Sequence, residues 1–221
     1  MSERPQTPQE AWKALRDGNE RFVDGQVRHP NQDAARRADL ATGQRPFATF
    51  FGCSDSRVAA EVIFDQGLGD LFVVRTAGHV VGPTELGSME FGTDVLGIPL
   101  IVVLGHDSCG AVGAAMDAVD TGDMPGGFLR DLVERVMPSV IAAKRHGVDD
   151  RDGVMAEHVR QAARLILERS KSCADAVDEG RLAVVGLTYT LADGRASLVE
   201  ILGDIGETLE EADDLGVTKD A

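Results

Sequence analysis

The fold is decided by residues 100–110, which read Leu-Ile-Val-Val-Leu-Gly-His-Asp-Ser-Cys-Gly. An apolar run without alternation passes into a polar loop, and a helix of small residues is predicted over 111–119. Two earlier stretches, 47–64 and 71–96, repeat this order of apolar strand, polar loop and helix. Apolar strands separated by helices are typical of a parallel sheet that is buried on both faces. The sequence therefore predicts an α/β fold with a central, mostly parallel β-sheet flanked by helices.

The second half of the chain completes the pattern. Amphipathic periodicity predicts helices over about 128–145 and 154–173, and the last apolar run covers 182–187. An Asp193-Gly194 turn then joins two strand-like segments, which is typical of a β-hairpin.

Both ends of the chain have a distinct character. Thr7, Pro8 and Glu10 combine an N-cap, a proline in the first turn and a capping-box glutamate, so a helix is predicted to start there. The polar stretch 28–45 lacks periodicity, so we expect residues 1–45 to form an N-terminal helix followed by an extended arm or loop. The acidic tail, 207–221, is expected to fray. No repeat or long linker divides the chain, which favours a single domain over residues 1–221.

Composition excludes several classes of protein. The chain has 221 residues, 43% of them apolar, and carries 22 basic against 37 acidic side chains, a formal net charge of −15. A surface of this sign repels phosphate backbones and anionic lipid, so nucleic-acid and membrane partners are disfavoured. No stretch approaches the length of a membrane helix, and the start lacks the pattern of a secretory signal. We therefore expect a cytoplasmic protein.

Metal-ligating side chains follow two of the predicted strands. Cys53 ends the first strand, and His106 and Cys109 end the third. Ligands bind at the carboxyl ends of strands in open α/β sheets, and two thiolates with one imidazole suit zinc and leave a fourth position for water. Taken singly, each has a plain alternative as a buried apolar cysteine or a capping histidine. Their joint placement beside the charged Asp55 and Arg57 favours a catalytic zinc site.

The remaining cysteine and histidines lack a second ligand at suitable spacing. Cys173 lies on a predicted helix, and we interpret it as structural. Of the other histidines, His79 follows a strand end, from which it could approach the site. All of them are assigned to the surface or to positions behind the site, namely His29, His79, His146 and His158.

Residues 53–57 (Cys-Ser-Asp-Ser-Arg) together with 105–110 (Gly-His-Asp-Ser-Cys-Gly) resemble the signature of the β-class carbonic anhydrases. The resemblance extends from the N-terminal helix through residues 72–78 to residues 185–189. It implies a lyase that binds one Zn²⁺ per chain through Cys53, His106 and Cys109. It also implies reversible hydration of carbon dioxide to bicarbonate and a proton by zinc-bound hydroxide. Members of that family form homodimers or homotetramers, with the N-terminal helix packing on the partner subunit.

The resemblance makes Asp55 and Arg57 a catalytic dyad. Two thiolates cancel the formal charge of the metal, so lowering the pKa of bound water needs an extra device. Asp55 can accept a hydrogen bond from that water while Arg57 holds the carboxylate away from the metal. If Arg57 releases it, Asp55 becomes a conditional fourth ligand in a closed form. Without the cysteines, the pair would be an ordinary loop ion pair.

The substrate residues come from the resemblance alone. It implies that Gln44 and the backbone N–H of Gly110 bind a substrate oxygen, and that Phe72 and Phe91 line an apolar cleft, partly from the neighbouring subunit. In members regulated by bicarbonate, a Trp stands three positions before the first cysteine, with an Arg and a Tyr elsewhere. Arg75 and Tyr189 match that pattern, but Phe50 stands at the Trp position, so the resemblance does not imply bicarbonate regulation.

Two rival functions remain open on sequence alone. The same zinc, dyad and cleft could serve a carbon disulfide or carbonyl sulfide hydrolase, which the motifs do not separate from a carbonic anhydrase. A non-catalytic zinc protein is the second rival, although structural zinc sites usually have four protein ligands at short spacings.

Overall fold

A five-stranded β-sheet runs through residues 4–214, the part of the chain described by the structure, a computed structural model. The strand order is β2-β1-β3-β4-β5; the first four strands are parallel and β5 is antiparallel to β4. This confirms the predicted α/β fold and the C-terminal hairpin. The strands are β1 Ala48–Cys53, β2 Leu71–Thr76, β3 Leu100–His106, β4 Ala183–Tyr189 and β5 Ala196–Leu202.

The central strand β3 is buried along its whole length because each of its faces lies in an apolar core. Successive side chains of a strand point to opposite faces. Ile101 and Val103 enter one core, and Leu100, Val102 and Leu104 enter the other. A continuous apolar run, rather than an alternating one, is the consequence.

Helices cover both faces of this sheet. Helices α5 to α8 bury side chains in the core that contains Ile101, and α1, α3 and α9 bury side chains in the core that contains Leu100. Among the helices of residues 4–214, none combines the length and apolar character needed to cross a membrane. The helices are α1 Pro8–Val23, α2 Ala34–Asp39, α3 Ala60–Ile63, α4 Pro83–Glu90, α5 Gly110–Thr121, α6 Leu129–Arg145, α7 Arg151–Arg169, α8 Lys171–Asp178 and α9 Leu209–Asp214.

The segment 28–45 differs from the extended arm that its polarity suggested. It contains α2 and a following 3₁₀ turn, Leu40–Thr42. The Asp33 side chain caps α2 by accepting a hydrogen bond from the backbone N–H of Arg36. None of the residues of α2 is buried, so the helix has no apolar periodicity by which the sequence could reveal it.

The helix expected over 154–173 is two helices. The chain breaks between α7 and α8 at Ser170, whose hydroxyl accepts from the backbone N–H of Cys173 and donates to Glu90 at 2.7 Å. Because Ser170 ends one helix and caps the next, the amphipathic pattern continues across the break. In the same region, a π-helical turn, Phe91–Val95, extends α4.

The N-terminal helix α1 is anchored within its own chain. The predicted capping box is present, with Thr7 and Glu10 each bonded to the backbone of the other. Trp12 is buried against the sheet, and its indole N–H donates to Glu207, which also pairs with Arg16 at 2.6 Å. Packing of α1 on a partner subunit stays a prediction.

The acidic tail departs from the fraying that its composition suggested. Glu207 is held at α1 by those two contacts, and α9 follows it with Ala212 buried in the core beside the N-terminal helix. The rest of the predicted tail, residues 215–221, lies outside the described residues.

Candidate metal centre

Cys53, His106 and Cys109 meet at the carboxyl ends of two neighbouring strands. Cys53 is the last residue of β1 and His106 the last of β3, and these strands pair directly in the sheet. Cys109 follows a tight turn and caps α5. One ligand atom from each residue lies within 4.8 Å of the other two, and all three residues are buried. The topology of the sheet therefore brings Cys53 and His106 together in space, although 53 positions separate them in the sequence.

The imidazole of His106 presents an unpaired nitrogen to this cluster. Its Nδ1 lies 2.7 Å from the carbonyl of Asp107, which can only accept, so Nδ1 carries the proton. The buried Nε2 is left with a lone pair and has no hydrogen-bond partner among residues 4–214. A buried acceptor without a partner is costly unless it binds a metal or water. The three side chains thus fit a zinc ion with one position free for a further ligand.

The two sulfurs are electrostatically unequal. Hydrogen bonds donated to the Cys53 sulfur by Cys109 and by the backbone N–H of Gly78 lower the pKa of Cys53 well below its usual range. The pKa of Cys109 is raised because it shares its proton with the Cys53 sulfur and because it is buried. Burial lowers the pKa of His106, but its interaction with Cys53 outweighs this and raises it. The cluster thus readily provides one thiolate, and a bound cation would favour the second.

Asp55 and Arg57 form a bidentate pair beside the cluster. The Nε and Nη2 atoms of Arg57 donate to the two carboxylate oxygens of Asp55 at 2.9 and 2.7 Å, and the Arg57 backbone N–H donates to one of them at 2.9 Å. The hydrogen bonds from Arg57 hold the pKa of Asp55 well below its usual range. Asp55 Oδ2 lies 3.9 Å from Nε2 of His106. The carboxylate is therefore ionised, close to the imidazole of the cluster and restrained by Arg57.

Arg75 links the backbone of the cysteine ligand to the backbone of the dyad. Its Nε donates to the carbonyl of Cys53 at 2.9 Å and its Nη2 to the carbonyl of Asp55 at 2.6 Å. Two of the nitrogens of Arg75 are thus already engaged by the turn that carries the cysteine and the dyad.

Tyr189 and Phe50 occupy the other two positions compared with the bicarbonate-regulated pattern. Burial raises the pKa of Tyr189, and Phe50 packs edge-on against Phe64.

The expected substrate residues are not all gathered around the cluster. Gly110 is the exposed first residue of α5, and Phe72 stacks on Phe91 with ring centroids 6.1 Å apart. Gln44 is exposed and lines a cavity of about 790 Å³ beside α1. None of the three cluster residues lines that cavity, so within this chain Gln44 lies in a different recess from the cluster.

The other histidines and the third cysteine separate into two groups. His29 and His146 are exposed, whereas His79 and His158 are buried with ring centroids 4.4 Å apart. Cys173 is buried on α8, apart from the three-ligand cluster, and burial raises the pKa of its thiol.

His158 contacts the loop behind Cys53, and sequence reasoning gave it no role of its own. It occupies the buried face of α7 together with Val154, Met155 and Ala162. Its place in that otherwise apolar face is the only sequence signal for it, because a buried polar group needs partners.

Comparison with known proteins agrees with this geometry. The family model described as carbonic anhydrase matches residues 48–196. "Carbonic anhydrase 2" of Mycobacterium tuberculosis and the carbonic anhydrase of Mycolicibacterium smegmatis are each 56% identical over 200 residues, covering 90% of this chain and 97% of the relative. A Pseudomonas aeruginosa carbonic anhydrase is 34% identical over 195 residues, covering 81% of this chain and 86% of its own.

Solved structures share the fold. A β-carbonic anhydrase from Aspergillus fumigatus superimposes with a TM-score of 0.64 at 25% identity, covering 83% of this chain and 88% of its own. A Coccomyxa β-carbonic anhydrase in complex with acetazolamide gives a TM-score of 0.66 at 24% identity, with coverages of 90% and 95%.

Proposed function

Because the chain belongs to the β-class carbonic anhydrase family, we propose that it hydrates carbon dioxide reversibly to bicarbonate and a proton at a zinc ion bound by Cys53, His106 and Cys109. The observation that carries the proposal is the buried, unpaired Nε2 of His106, which faces two cysteine sulfurs and lies 3.9 Å from the carboxylate of Asp55. When bound, zinc would supply a water ligand of lowered pKa as the nucleophile.

The protein residues orient this chemistry. Asp55 accepts a hydrogen bond from the attacking water, and Arg57 keeps the carboxylate turned towards that water by its two parallel donations. Since the pKa of Asp55 is depressed by Arg57, the carboxylate remains an acceptor throughout the working range. Arg75 fixes the backbone of both the cysteine ligand and the dyad, so the two keep one relative position.

Asp55 also has a second role in the proposal. Its Oδ2 is near enough to the cluster that rotation away from Arg57 would let it take the fourth position as a conditional ligand. The site would then be closed to substrate. Both roles depend on the same carboxylate, so the pairing with Arg57 decides between them.

Substrate is held on the apolar side of the site. The backbone N–H of Gly110, at the start of α5, and the amide of Gln44 would bind an oxygen, with Phe72 and Phe91 lining the cleft. Gln44 lines a separate cavity in its own chain, which supports its serving the site of a neighbouring subunit. Exposed apolar side chains at the β2 edge of the sheet, including Val73 and Phe91, support assembly into a homodimer or homotetramer.

The net charge of the chain bears on which partners it binds. A formal net charge of −15 disfavours nucleic acid and anionic membrane as partners, and we propose a cytoplasmic location. Carbon dioxide and bicarbonate are then the small-molecule partners.

Stopped-flow measurement of carbon dioxide hydration by the zinc-loaded protein tests the proposal, with carbon disulfide turnover measured alongside. Hydration that is lost on chelation and restored by zinc is expected. Faster turnover of carbon disulfide than of carbon dioxide would replace the proposal with a sulfur-analogue hydrolase. Stoichiometric zinc with neither activity would reduce the site to a structural one.

A further inference from the structure

A chain of hydrogen bonds reaches the back of Cys53 from the helical layer. The backbone N–H of Gly78 lies 3.3 Å from the Cys53 sulfur and donates to it. The carbonyl of Gly78 lies 2.9 Å from Nε2 of His158, and Nδ1 of His158 lies 2.9 Å from the hydroxyl of Ser139. Three elements are thereby joined to one ligand: α6 through Ser139, α7 through His158, and the loop after β2 through Gly78.

Gly78 is constrained to a backbone that few residues adopt. Its φ is +66° and its ψ 23°, in the left-handed region. A Cβ at this position would lie 2.6 Å from the Cβ of Ala111 at the start of α5. Both steric demands require glycine, and glycine by itself restrains its peptide groups weakly. The direction of the Gly78 N–H towards sulfur therefore depends on what holds its carbonyl.

His158 is suited to hold that carbonyl. A carbonyl oxygen can only accept, so Nε2 of His158 carries the proton and Nδ1 is left as an acceptor. Nδ1 shares the single Ser139 hydroxyl proton with Oε1 of Gln161, which lies 3.0 Å from that hydroxyl. The residue is buried, with 5% of its surface exposed, and burial lowers its pKa, which favours this single neutral tautomer. The ring of His79 packs against it, while neither ring nitrogen of His79 has a hydrogen-bond partner in the described part of the chain.

We propose that His158, oriented by Ser139, is a positioning residue for the metal centre: it fixes Gly78 so that its N–H donates to the Cys53 thiolate. The inference rests on the proposed zinc site. The N–H···S bond fixes the direction of the Cys53 sulfur and offsets part of the negative charge of the thiolate, so the ligand is already in place when a cation binds. Groups that orient metal ligands in this way typically contribute about 10- to 100-fold to metal affinity or activity.

The experiment compares metal binding by His158→Phe and His158→Gln with that of the wild-type chain. Phenylalanine keeps a ring of similar size and loses both nitrogens, whereas glutamine keeps an N–H donor. We expect His158→Phe to weaken zinc about 10-fold or more in competition with a chromophoric chelator. In the cobalt-substituted protein, its thiolate-to-metal absorption should move to longer wavelength, because a sulfur without a hydrogen bond is easier to oxidise. His158→Gln should recover most of both values.

Val159→Ala is the matched control. It truncates the next side chain of the same helix, which is also buried, lies beside Gly105 and Gly186 of the sheet and has no polar atom to offer to the hydrogen-bond chain. It should lose stability yet keep wild-type zinc affinity and the wild-type cobalt spectrum. Equal changes in His158→Phe and Val159→Ala would show general loosening of the core and overturn the proposal.

The remaining outcomes are also decisive. Unchanged zinc affinity and cobalt absorption in His158→Phe overturn the positioning role. If that variant does not fold, Ser139→Ala decides, because it leaves the imidazole in place and frees its orientation. In Ser139→Ala, weaker zinc binding and a shift of the cobalt absorption to longer wavelength support the proposal, even where both are smaller than expected for His158→Phe. Wild-type zinc affinity and absorption overturn it. Failure of the wild-type chain to bind zinc or cobalt would instead remove the proposed function, and the inference with it.

Discussion

Asp55 places one carboxylate oxygen 3.9 Å from Nε2 of His106 while both of its oxygens accept hydrogen bonds from Arg57. The same carboxylate is thus near the metal cluster and held away from it. This is the geometry that we expect of the proposed open form, in which the fourth metal position is left to water.

Zinc content should depend on the two cluster cysteines and not on the third. Cys53→Ser and Cys109→Ser each remove one of three ligands, so we expect substoichiometric zinc by elemental analysis after dialysis. Cys173→Ser is the matched control, because Cys173 is equally buried but lies outside the cluster. Full zinc retention in either cluster variant would contradict the assignment.

The dyad should matter for turnover more than for metal retention. Asp55→Asn and Arg57→Ala should keep zinc and lose about 100-fold in kcat/KM, because both act on the orientation of the attacking water. Arg130→Ala breaks an exposed ion pair with Glu134 on α6 and should leave the rate unchanged. Near-normal rates in both dyad variants would reduce the pair to an ordinary loop ion pair.

Hydration should rise through mildly alkaline pH. The pKa of Asp55 lies well below its usual range, so the carboxylate stays ionised and its charge does not change in this window. The pH dependence must therefore come from the competing water, which binds the metal better once it loses a proton. Crystal structures at acidic and alkaline pH should show Asp55 on zinc in the first and paired with Arg57 in the second. Pairing with Arg57 at both pH values would refute the exchange.

Arg75 should be irreplaceable by lysine. Its two donors bind two carbonyls at once, those of Cys53 and Asp55, and a lysine ammonium lacks the planar fork that matches them. We expect Arg75→Lys and Arg75→Ala to reduce kcat/KM by similar factors, about 10-fold or more. Recovery in Arg75→Lys would indicate that positive charge alone is required at this position.

Asp65 should set the acid stability of the N-terminal region. Its buried carboxylate accepts from the Arg21 side chain at 2.6 Å and from the backbone N–H groups of Arg28 and His29, and these contacts outweigh burial and lower its pKa. A lowered folded-state pKa gives stability that is present above the unfolded value, about 3.9, and is lost as pH falls through the folded value.

In urea titrations, Asp65→Asn should lower the free energy of unfolding at neutral pH by about 3 kcal/mol. The exposed pair of Lys171 and Asp175 provides the comparison. Asp175→Asn should change the free energy of unfolding by less than about 1 kcal/mol. Equal losses in the two variants would contradict a special role for Asp65.

The parts of the molecule that were predictable share a physical cause. Strands buried on both faces must be continuously apolar, and parallel neighbours end at one edge, so Cys53 and His106 could be placed together from their positions alone. The Ser170 break and α2 were missed because neither changes the apolar pattern. His158 carries no ligand spacing, and only the folded chain shows that it contacts the Gly78 carbonyl.

Trp12 is the single tryptophan of the chain, and its indole is tied to Glu207 from the opposite end of the sequence. Intrinsic fluorescence excited at the indole band therefore reports on one event, the seating of the first helix against the C-terminal segment. Changes at the metal centre that leave this junction intact should be silent in that signal. The protein thus carries a native optical probe that separates release of its ends from loss of its metal.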